Sequence, residues 1–400
     1  MRKKEVKVVH IVEGLDGGLC TYMCTVLPQL AQNGFDVTLI CSLSRGGAVA
    51  LKAISELREK GIKVHVVEMC RKINPIKDIY SFISILQVLL EGRFDIIHTH
   101  CSKAGALGRF AAFVARKNVR LHSPHCFAFL RCRSRFKKIL YLVFEQLLGR
   151  LTTRLVAVSQ SEAIAAAHLQ IISPCKCVVV ENGVSESHLP AGAAHIAEKS
   201  SIKIKLGLHE DTQVVATACR LVEYKGIFRF LQAAQISKTP NAVFLIAGDG
   251  ELRNSVEDFI NKNKLGSRVR LLGHIPCMES IYAISDIVAL CSDAEGQPYL
   301  LLEAMRAGCA VVAMAVFGSA ELIQHGKTGL LTESTPKSIA AAIDKLLVDK
   351  GKRDEYVENA YAYVCRCHSL EKQVSELTQI YESFVNKTQG QYVSAHTCTK

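Results

Sequence analysis

The stretch "DIVALCSDAEGQPYLLLEAMRAG", residues 286–308, decides the fold of the second half of the chain. Its first residues form an apolar, β-branched run, which predicts a buried strand, and "DAEGQP" follows as a turn. In "YLLLEAMRAG" the apolar residues have helical spacing, and Pro298 suits the first position of that helix. A strand, a short turn and a buried helix in this order are typical of an α/β protein with parallel strands.

The same alternation extends along the whole chain, which has 400 residues. Strands are predicted at "VKVVHIV", "DVTLI", "KVHVVE", "DIIHTH", "LVAVS" and "CVVVENG" in the first half, and at "QVVATACR", "AVFLIAG", "VRLLG", "IVALCS" and "AVVAMAV" in the second. Helix-length amphipathic segments separate these runs, and the chain is too long for one hydrophobic core. The prediction is therefore an α/β protein with two doubly wound, Rossmann-like domains.

We expect an N-terminal domain over residues 1–190 and a C-terminal domain over residues 191–370. The polar segment "SESHLPAGAAHIAEKSS" is predicted to link them. A C-terminal helix over residues 371–385 is expected to cross back to the first domain, and residues 386–400 are expected to form a disordered tail.

Cysteine usage and the N-terminus indicate a cytoplasmic protein. The 16 cysteines lie mostly inside apolar runs, with no Cys-x-x-Cys pair, and this favours free thiols in a reducing compartment. The N-terminal apolar run is too short for a signal peptide. No stretch approaches the roughly 18 uninterrupted apolar residues of a membrane-spanning helix.

The net charge of +12 belongs entirely to the first half of the chain. Residues 1–190 contain 26 basic and 14 acidic residues, whereas residues 191–400 contain 23 of each. Between Ile96 and Phe144 no acidic residue accompanies ten cations: Lys103, Arg109, Arg116, Lys117, Arg120, Arg131, Arg133, Arg135, Lys137 and Lys138. Such a one-sided field attracts anionic surfaces or substrates, although a solvated basic face is the alternative. The absence of interleaved aromatic residues or a groove-reading motif disfavours nucleic-acid binding.

Candidate ligand-binding residues lie where predicted strands end, because the ligands of such sheets bind there and two sheets are expected to face a central cleft. Gly17 and Gly18 follow the first strand and would let backbone N–H groups approach a phosphate; a plain tight turn is equally compatible. His125 ends a predicted strand in "RLHSPHCFAF", where a catalytic and a structural histidine are both open.

Charged residues occupy the corresponding places in the second half. Arg220 ends its first strand and Lys225 follows, a pair suited to a diphosphate, although each alone could be an ordinary surface residue. Glu295 lies in the turn and Glu303 in the buried helix, where they could accept hydrogen bonds from the two ends of a nucleotide sugar. A solvated turn residue and a salt-bridged glutamate are the alternatives.

With these residues in place, the chain resembles the family-4 retaining glycosyltransferases of the GT-B fold. Glu295 and Glu303 match the Glu-x7-Glu signature of that family. The similarity extends roughly from Val6 to Val348 and includes "DGG", "DIIHTHCSKAGALGR", "SPHCFAF", "VAVSQSE", "ENGV", "RLVEYKG", "IAGDGELR", "LLGH" and "ELIQHGKTGLL".

The resemblance implies a role for each matching residue. Gly17 and Gly18 would line the donor diphosphate, Arg220 and Lys225 would neutralise it, and Glu303 would hold the ribose hydroxyls. Glu295 would contact the transferred sugar and His125 would lie beside sugar and acceptor, so that the implied catalytic residues are Glu295, His125, Lys225 and Arg220. The turn residues Gly296, Gln297 and Pro298 complete the expected donor site. No metal or other cofactor is implied, and the chain contains no Asp-x-Asp motif that would hold a divalent cation.

Four positions depart from the family pattern. Cys126 and Cys219 stand where glycine is usual, Ser185 replaces an aspartate, and Phe317 interrupts a Gly-Gly pair. Cys126 and Phe317 put side chains where a close backbone approach is expected, which leaves donor preference and turnover rate open.

The basic half suggests the acceptor. In "RCRSRFKKILYLVFEQLLGRL" cations alternate with apolar residues, and Arg131, Arg133, Arg135, Lys137 and Lys138 could face an anionic membrane surface. The alternative is a helix that packs its leucines inside the N-domain. The neighbouring motifs resemble family members that build polysaccharides on polyprenyl-diphosphate lipids, which implies peripheral association with the inner face of the membrane.

The predicted function is retaining transfer of a sugar from a nucleotide-diphosphate sugar such as a UDP-sugar. The acceptor would be a polyprenyl-diphosphate-linked saccharide in capsule or exopolysaccharide synthesis. A catalytically silent nucleotide-sugar-binding partner protein and a nucleotide-sugar epimerase or hydrolase on the same scaffold are the alternatives.

Overall fold

The computed structural model describes residues 5–70, 73–185, 193–275 and 277–388 of the chain. They form two compact units, the first comprising Met1–Gly183 with Leu370–Lys400 and the second Val184–Ser369. The division therefore falls after Gly183, earlier than the expected boundary at residue 190.

Strands and helices alternate through both units. The strands are β1 Val6–Ile11, β2 Phe35–Cys41, β3 Lys63–Val66, β4 Ile96–His100, β5 Val119–Ser123, β6 Arg154–Ala157, β7 Cys177–Val179, β8 Gln213–Ala218, β9 Ala242–Ala247, β10 Val269–Gly273, β11 Ile287–Leu290, β12 Ala310–Met314 and β13 Leu330–Thr332. The helices are α1 Gly17–Gln32, α2 Gly47–Glu59, α3 Pro75–Glu91, α4 Ser102–Val114, α5 Arg135–Gly149, α6 Gln160–His168, α7 Ala193–Lys205, α8 Ile227–Ile236, α9 Arg253–Lys262, α10 Glu279–Ile284, α11 Tyr299–Arg306, α12 Ser319–Leu322, α13 Pro336–Val348, α14 Lys350–Cys367 and α15 Leu370–Thr388.

Each unit contains one parallel sheet, which confirms the predicted fold class. The first sheet has the strand order β3-β2-β1-β4-β5-β6-β7, and the second has the order β10-β9-β8-β11-β12-β13. In both sheets the first strand of the unit pairs with the fourth, so the chain winds in two directions from the centre.

The central strands are buried because helices cover both faces of each sheet. In the first unit Val9, Ile11 and Ile97 lie in a core with α3 and α4. In the second unit Val215 and Ile287 pack with α8 and α13. The first sheet also buries polar side chains, among them His10 on β1 and two histidines of β4, and their hydrogen bonds are described below.

Several expected boundaries differ from the structure. Helix α7 occupies much of the segment predicted as a linker, because it has contacts within the second unit. Ile202 packs against an apolar cluster of that unit, and Nζ of Lys203 donates hydrogen bonds to the carbonyl oxygens of Glu210 and Thr212, at 2.6 and 2.7 Å. Residues 186–192 of that segment lie outside the described residues. The short strand β13 was not predicted.

Two further differences concern the ends of elements. Strand β5 ends at Ser123, two residues before His125, and Pro298 precedes the first residue of α11 instead of occupying it. Helix α15 belongs to the first unit and continues to Thr388, beyond the expected end at residue 385. Residues 389–400 of the predicted tail lie outside the described residues. No helix in the described part of the chain combines the length and apolar composition needed to cross a bilayer.

Candidate active site

The reversal of strand order in the second unit brings the predicted donor residues together. Strands β8 and β11 are neighbours in the sheet although β9 and β10 separate them in sequence. Ligands of open α/β sheets bind outside the carboxyl ends of strands at such a reversal. Arg220 and Lys225 follow β8, and Glu295 follows β11.

Lys225 and Glu295 form an ion pair at these strand ends. Nζ of Lys225 lies 2.6 Å from Oε1 of Glu295, with the two side chains 19% and 13% exposed. Burial lowers the pKa of Lys225, but the Glu295 carboxylate outweighs this effect and the pKa lies above its ordinary value. Lys225 is therefore fully charged at neutral pH.

The glycine after Lys225 allows this approach. Gly226 has a φ of 68°, and a Cβ atom there would lie 1.9 Å from the carbonyl oxygen of Cys291 at the end of β11. Only glycine permits the loop after β8 to pack so closely against the turn after β11. The backbone N–H of Asp293 also donates a 2.8 Å hydrogen bond to the carbonyl oxygen of Tyr224. The two loops are thus held together by backbone contacts.

Arg220 is oriented by a hydroxyl group on the same loop. Its Nη2 donates a 2.7 Å hydrogen bond to Oη of Tyr224. A further cation, Arg229 on α8, pairs with Asp293 in the turn and donates a 3.0 Å hydrogen bond to the carbonyl oxygen of Cys291. Three cations therefore surround the ends of β8 and β11, which favours binding of an anion such as a diphosphate.

Glu303 has a buried environment and one hydroxyl partner. It lies on α11, and its Oε2 accepts a 2.7 Å hydrogen bond from Oη of Tyr282 on α10. Burial raises the pKa of Glu303 to about 7, although the Tyr282 hydrogen bond works in the opposite direction. The ionised carboxylate has capacity to accept further hydrogen bonds, as ribose hydroxyls would require.

The turn between the two glutamates leads into the start of α11. Gln297 is buried and Pro298 is the residue before the helix, whose first backbone N–H groups have no side-chain cap. The backbone N–H of Glu295 donates a 3.3 Å hydrogen bond to the carbonyl oxygen of Phe317. The Phe317 side chain is itself exposed, so within this unit its ring does not fill the turn next to Gly296.

In the first unit, Gly17 and Gly18 are exposed at the start of α1. Gly17 has a φ of 52°, and a Cβ atom there would have no neighbour within 4 Å. Asp16 precedes the helix but does not cap it, because its carboxylate accepts hydrogen bonds from Nη2 of Arg45 at 2.6 and 2.8 Å. The first backbone N–H groups of α1 therefore have no side-chain cap, and binding of a phosphate there stays a prediction.

His125 lies on a strained loop after β5. His125 and Cys126 have φ values of 49° and 75°, the left-handed region that most side chains avoid. Glycine would adopt the backbone conformation of Cys126 without strain. Nε2 of His125 lies 2.9 Å from Nδ1 of His100, and Tyr22 packs edge-on against the His125 ring. Burial lowers the pKa of His125 to about 4, so the ring is neutral at neutral pH.

A buried carboxylate holds the strained loop in place. Glu162 on α6 accepts hydrogen bonds from the backbone N–H groups of Cys126 and Val158, at 2.7 and 2.9 Å. Burial raises the pKa of Glu162 to about 7, although both hydrogen bonds favour the ionised form. Glu162 therefore positions the His125 loop without lying at the end of a strand itself.

The basic residues of the first unit divide into two groups. Arg109 is fully buried, where its Nη2 lies 2.8 Å from Oε2 of Glu145, and Nζ of Lys103 lies 2.5 Å from Oδ1 of Asp78. The expectation that these two belong to an unopposed basic patch is therefore wrong. Arg131 is partly buried, and four exposed cations lie before or within the first turn of α5: Arg133, Arg135, Lys137 and Lys138.

The apolar side of α5 is exposed, contrary to the alternative in which its leucines pack inside the unit. The exposed apolar residues follow helical spacing: Phe136, Ile139, Leu140, Val143, Phe144 and Leu147. Only Glu145 and Gly149 of this helix are buried.

Four residues around the sites were missed by sequence reasoning: Glu162, Tyr224, Arg229 and Tyr282. The Ser159-x-x-Glu162 spacing is a helix-capping signal, and Oγ of Ser159 does accept a hydrogen bond from the Glu162 N–H at 3.3 Å. Arg229 and Tyr282 have no local pattern, because their partners Asp293 and Glu303 lie on other segments. Tyr224 lies four residues from its partner Arg220, but this spacing in a loop is not a recognised signal.

The chain matches two family profiles that together span both units. "Glycosyltransferase Family 4" matches residues 16–188, and "Glycosyl transferases group 1" matches residues 198–363. A relative in Escherichia coli, the "UDP-Gal:alpha-D-GlcNAc-diphosphoundecaprenol alpha-1,3-galactosyltransferase", is 29% identical over 398 residues, which cover 96% of this chain and 98% of that protein. The capsular polysaccharide biosynthesis glycosyltransferase CapM of Staphylococcus aureus is 24% identical over 82% of this chain and 86% of that protein.

Solved structures have the same fold. The crystal structure of Anabaena HepE in complex with UDP and glucose superposes with a TM-score of 0.80 and 21% identity, over 95% of this chain and 100% of that chain. Two Rossmann-like units that match both family profiles define a retaining glycosyltransferase. The chain belongs to the group-1, family-4 glycosyltransferases.

Proposed function

We propose that the enzyme transfers a hexose from a UDP-sugar to a saccharide carried on a polyprenyl diphosphate, during synthesis of a cell-surface polysaccharide. The observation that carries the donor proposal is the cluster of Arg220, Lys225 and Glu295 at the ends of β8 and β11. The acceptor proposal is supported by the Escherichia coli relative, whose name specifies a diphosphoundecaprenol acceptor and whose sequence aligns along nearly the whole chain.

The ion pair would change partners when the donor binds. Without donor, Lys225 neutralises Glu295 at 2.6 Å. A diphosphate carries more charge than one carboxylate and offers several acceptor oxygens, so it would attract both Lys225 and Arg220. Glu295 would then be released toward the hydroxyl groups of the transferred sugar, while Glu303 accepts hydrogen bonds from the ribose.

The same cations would promote the chemistry. In retaining transfer, the acceptor hydroxyl attacks the anomeric carbon on the face from which UDP departs. The bond from that carbon to the diphosphate oxygen breaks, the bond to the acceptor oxygen forms, and the departing phosphate takes the acceptor's proton. Negative charge develops on the diphosphate, where Arg220 and Lys225 would stabilise it in a pre-organised arrangement. Because these cations would supply the neutralisation, the mechanism needs no divalent metal and no other cofactor.

We place the lipid-linked acceptor at a membrane-facing surface made by three neighbouring helices. On α5 the apolar stripe from Phe136 to Leu147 is exposed. On α4 and α3 further exposed apolar side chains include Phe110, Phe113, Ile76 and Ile79. A surface that combines exposed aromatic residues with Arg135 and Lys138 suits peripheral binding to an anionic bilayer. The enzyme would act at the inner face of the cell membrane.

Vesicle sedimentation tests this surface. The enzyme should bind vesicles that contain anionic lipid, and binding should weaken as salt is raised. Phe136 and Phe144 are 75% and 51% exposed. Their joint replacement by serine should lower the affinity at least about tenfold, because each large apolar side chain contributes on the order of 1–3 kcal/mol on burial. Val348→Ser, at a 79% exposed position in the other unit, is the matched control and should bind normally. Equal binding by all three proteins would contradict the proposed surface.

Turnover with defined substrates tests the function itself. Purified enzyme is incubated with a panel of UDP-sugars, with and without a synthetic N-acetylglucosamine diphosphate lipid, in the presence of a metal chelator. We expect one UDP-sugar to yield a lipid-linked disaccharide, and UDP release to depend on the lipid. UDP release that is equally fast without the lipid would indicate a hydrolase. An epimerised nucleotide sugar would indicate an epimerase, and donor binding without turnover would indicate a silent binding protein.

A further inference from the structure

A row of buried histidines connects His125 to the C-terminal helix. His10 on β1 lies beside His98 on β4 in the parallel register, and His100 follows on the same face of β4. All three are completely buried, as is Tyr381 on α15. Buried polar side chains are retained in a core when their hydrogen bonds are satisfied, and the bonds here form one continuous chain.

The chain has six members and five hydrogen bonds. From the site inward, Nε2 of His125 lies 2.9 Å from Nδ1 of His100, and Nε2 of His100 lies 2.9 Å from Nδ1 of His10. Nε2 of His10 lies 3.2 Å from Oη of Tyr381. That hydroxyl lies 2.7 Å from Nδ1 of His98, whose Nε2 lies 2.9 Å from Oγ of Ser123.

The rings meet edge to edge, as imidazoles in a hydrogen-bonded chain do. The ring centroids of His10 and His100 are 5.2 Å apart with planes inclined by 13°, and those of His100 and His125 are 5.2 Å apart with planes inclined by 26°. The lone pairs therefore point along the chain and do not converge on a common point. Although the ligand atoms of His10, His98 and His100 lie within 4.8 Å of one another, this arrangement suits mutual hydrogen bonding better than chelation of a metal.

Each imidazole carries a single ring proton. Burial lowers the pKa of His10 to about 3 and that of His125 to about 4, and it lowers the pKa values of His98 and His100 well below their ordinary range. A neutral imidazole donates from one nitrogen and accepts at the other. A proton on Nε2 of one ring therefore requires a bare nitrogen on the next ring. If the hydroxyl proton of Tyr381 stays within the chain, the five bonds can be satisfied in two ways, with all four histidines protonated on Nε2 or all four on Nδ1.

The phenol of Tyr381 distinguishes the two arrangements. Its hydroxyl can donate to His98 or to His10 but not to both. Hydroxyl donors form shorter hydrogen bonds than N–H donors, typically about 2.7–2.8 Å against about 2.9–3.0 Å. The short 2.7 Å bond to His98 fits the phenol as donor, and the longer 3.2 Å bond fits a phenol that accepts from Nε2 of His10.

From these contacts we propose that Tyr381 is a positioning residue that fixes His125 in the Nε2-protonated tautomer, through His10 and His100. Nδ1 of His125 is then a bare acceptor, and it has no hydrogen-bond partner among the described residues. It can accept a hydrogen bond from a hydroxyl group of the donor sugar or of the acceptor. This last step rests on the proposed function, whereas the tautomer does not.

The tautomers are measured directly by two-bond proton–nitrogen NMR correlation on enzyme labelled with ¹⁵N-histidine. Signals are assigned with the variants His125→Ala and His100→Asn. In the unmodified enzyme all four rings should be protonated on Nε2. In Tyr381→Phe, which keeps the ring but removes the hydroxyl, His10 and His125 should show a mixture of tautomers. Tyr356→Phe, at another buried tyrosine in the second unit, should leave the pattern unchanged.

Kinetics then link the tautomer to turnover. Tyr381→Phe should lower kcat about tenfold, comparable to the loss of one hydrogen bond, and change the donor KM less than about twofold. In a double-mutant cycle, Tyr381→Phe should have no further effect on kcat in the His125→Ala background.

Three results would overturn the proposal. They are Nδ1 protonation or mixed tautomers in the unmodified enzyme, an equal effect of Tyr381→Phe with and without His125, and stoichiometric zinc whose removal changes the four histidine signals. If no donor is turned over, the proposed function fails, but the NMR pattern still decides the tautomer.

Discussion

Replacement of Lys225 by methionine separates a catalytic role from a structural one. The side chain of Lys225 is 19% exposed and its charge lies 2.6 Å from Glu295. If Lys225 stabilises charge on the departing diphosphate, its loss should lower kcat by about 10²–10³-fold, the usual effect of removing one pre-organised group that stabilises transition-state charge. The variant also leaves Glu295 partly buried without its partner, which should cost roughly 1–3 kcal/mol of folding stability.

The double variant Lys225→Met/Glu295→Gln distinguishes these two effects. It removes both charges, so it should regain most of the thermal midpoint that is lost in Lys225→Met. For a unit of this size, each kcal/mol of unfolding free energy corresponds to about 2–4 °C in the midpoint. Turnover should remain as low as in the single variant, or lower. The assay is UDP release under saturating donor and acceptor, alongside thermal unfolding. A single variant with kcat within threefold of the unmodified enzyme would refute the assigned role, and so would a double variant that regains turnover together with stability.

Three further predictions concern the residues around the sites. KM–pH profiles should show the donor KM rising as the pH falls through about 7, because protonation of Glu303 removes a hydrogen-bond acceptor. Tyr282→Phe removes the hydrogen bond that favours the ionised carboxylate, so it should shift this rise in KM to higher pH. Glu162→Gln turns an amide N–H₂ toward a backbone N–H, so it should lower the free energy of unfolding by about 1–3 kcal/mol. The variant should also have a lower kcat and an unchanged donor affinity, and a normal kcat would contradict the positioning role. Cys126→Gly should change the free energy of unfolding by less than about 1 kcal/mol, since relief of the left-handed strain offsets the lost packing of the thiol. Cys126→Val should lower the thermal midpoint by several degrees, and equal midpoints for the two variants would contradict the strain.

The places of the candidate donor residues Arg220, Lys225 and Glu295 could be predicted from sequence because each follows a recognisable strand. In a parallel sheet all carboxyl ends lie at one edge, so Arg220 and Glu295 are brought together by topology, even though 75 positions separate them in the chain. The contact between Lys225 and Glu295 follows from the same topology. Its distance could not be predicted, because it depends on the backbone approach at Gly226.

Residues that act through distant partners were not predictable. A count of local charges put Arg109 on an unopposed basic face, but the side chain is buried against Glu145, one position beyond the acid-free stretch that ends at Phe144. The alternating His98 and His100 share one face of β4, which the period of a strand indicates. Their connection to Tyr381 spans 283 residues of sequence and appears only when α15 packs in the first unit.

Chain segments with weak patterns were also not fully predictable. The polar composition of residues 185–201 favours a linker, yet α7 begins at Ala193 because the unit supplies an apolar surface for Ile202 and carbonyl partners for Lys203. For α5, the apolar spacing alone left both a membrane-facing helix and a helix packed inside the N-domain open, and the structure leaves that face exposed. Tertiary contacts decided both cases, and local composition does not encode them.

The anomeric configuration of the product tests the central claim most directly. If the diphosphate held by Arg220 and Lys225 takes the proton of the attacking hydroxyl, the acceptor must approach from the face that UDP leaves. Proton NMR of the lipid-linked disaccharide formed from an α-configured UDP-hexose should then show an α-linkage. A β-linked product would mean attack from the opposite face and would contradict the account.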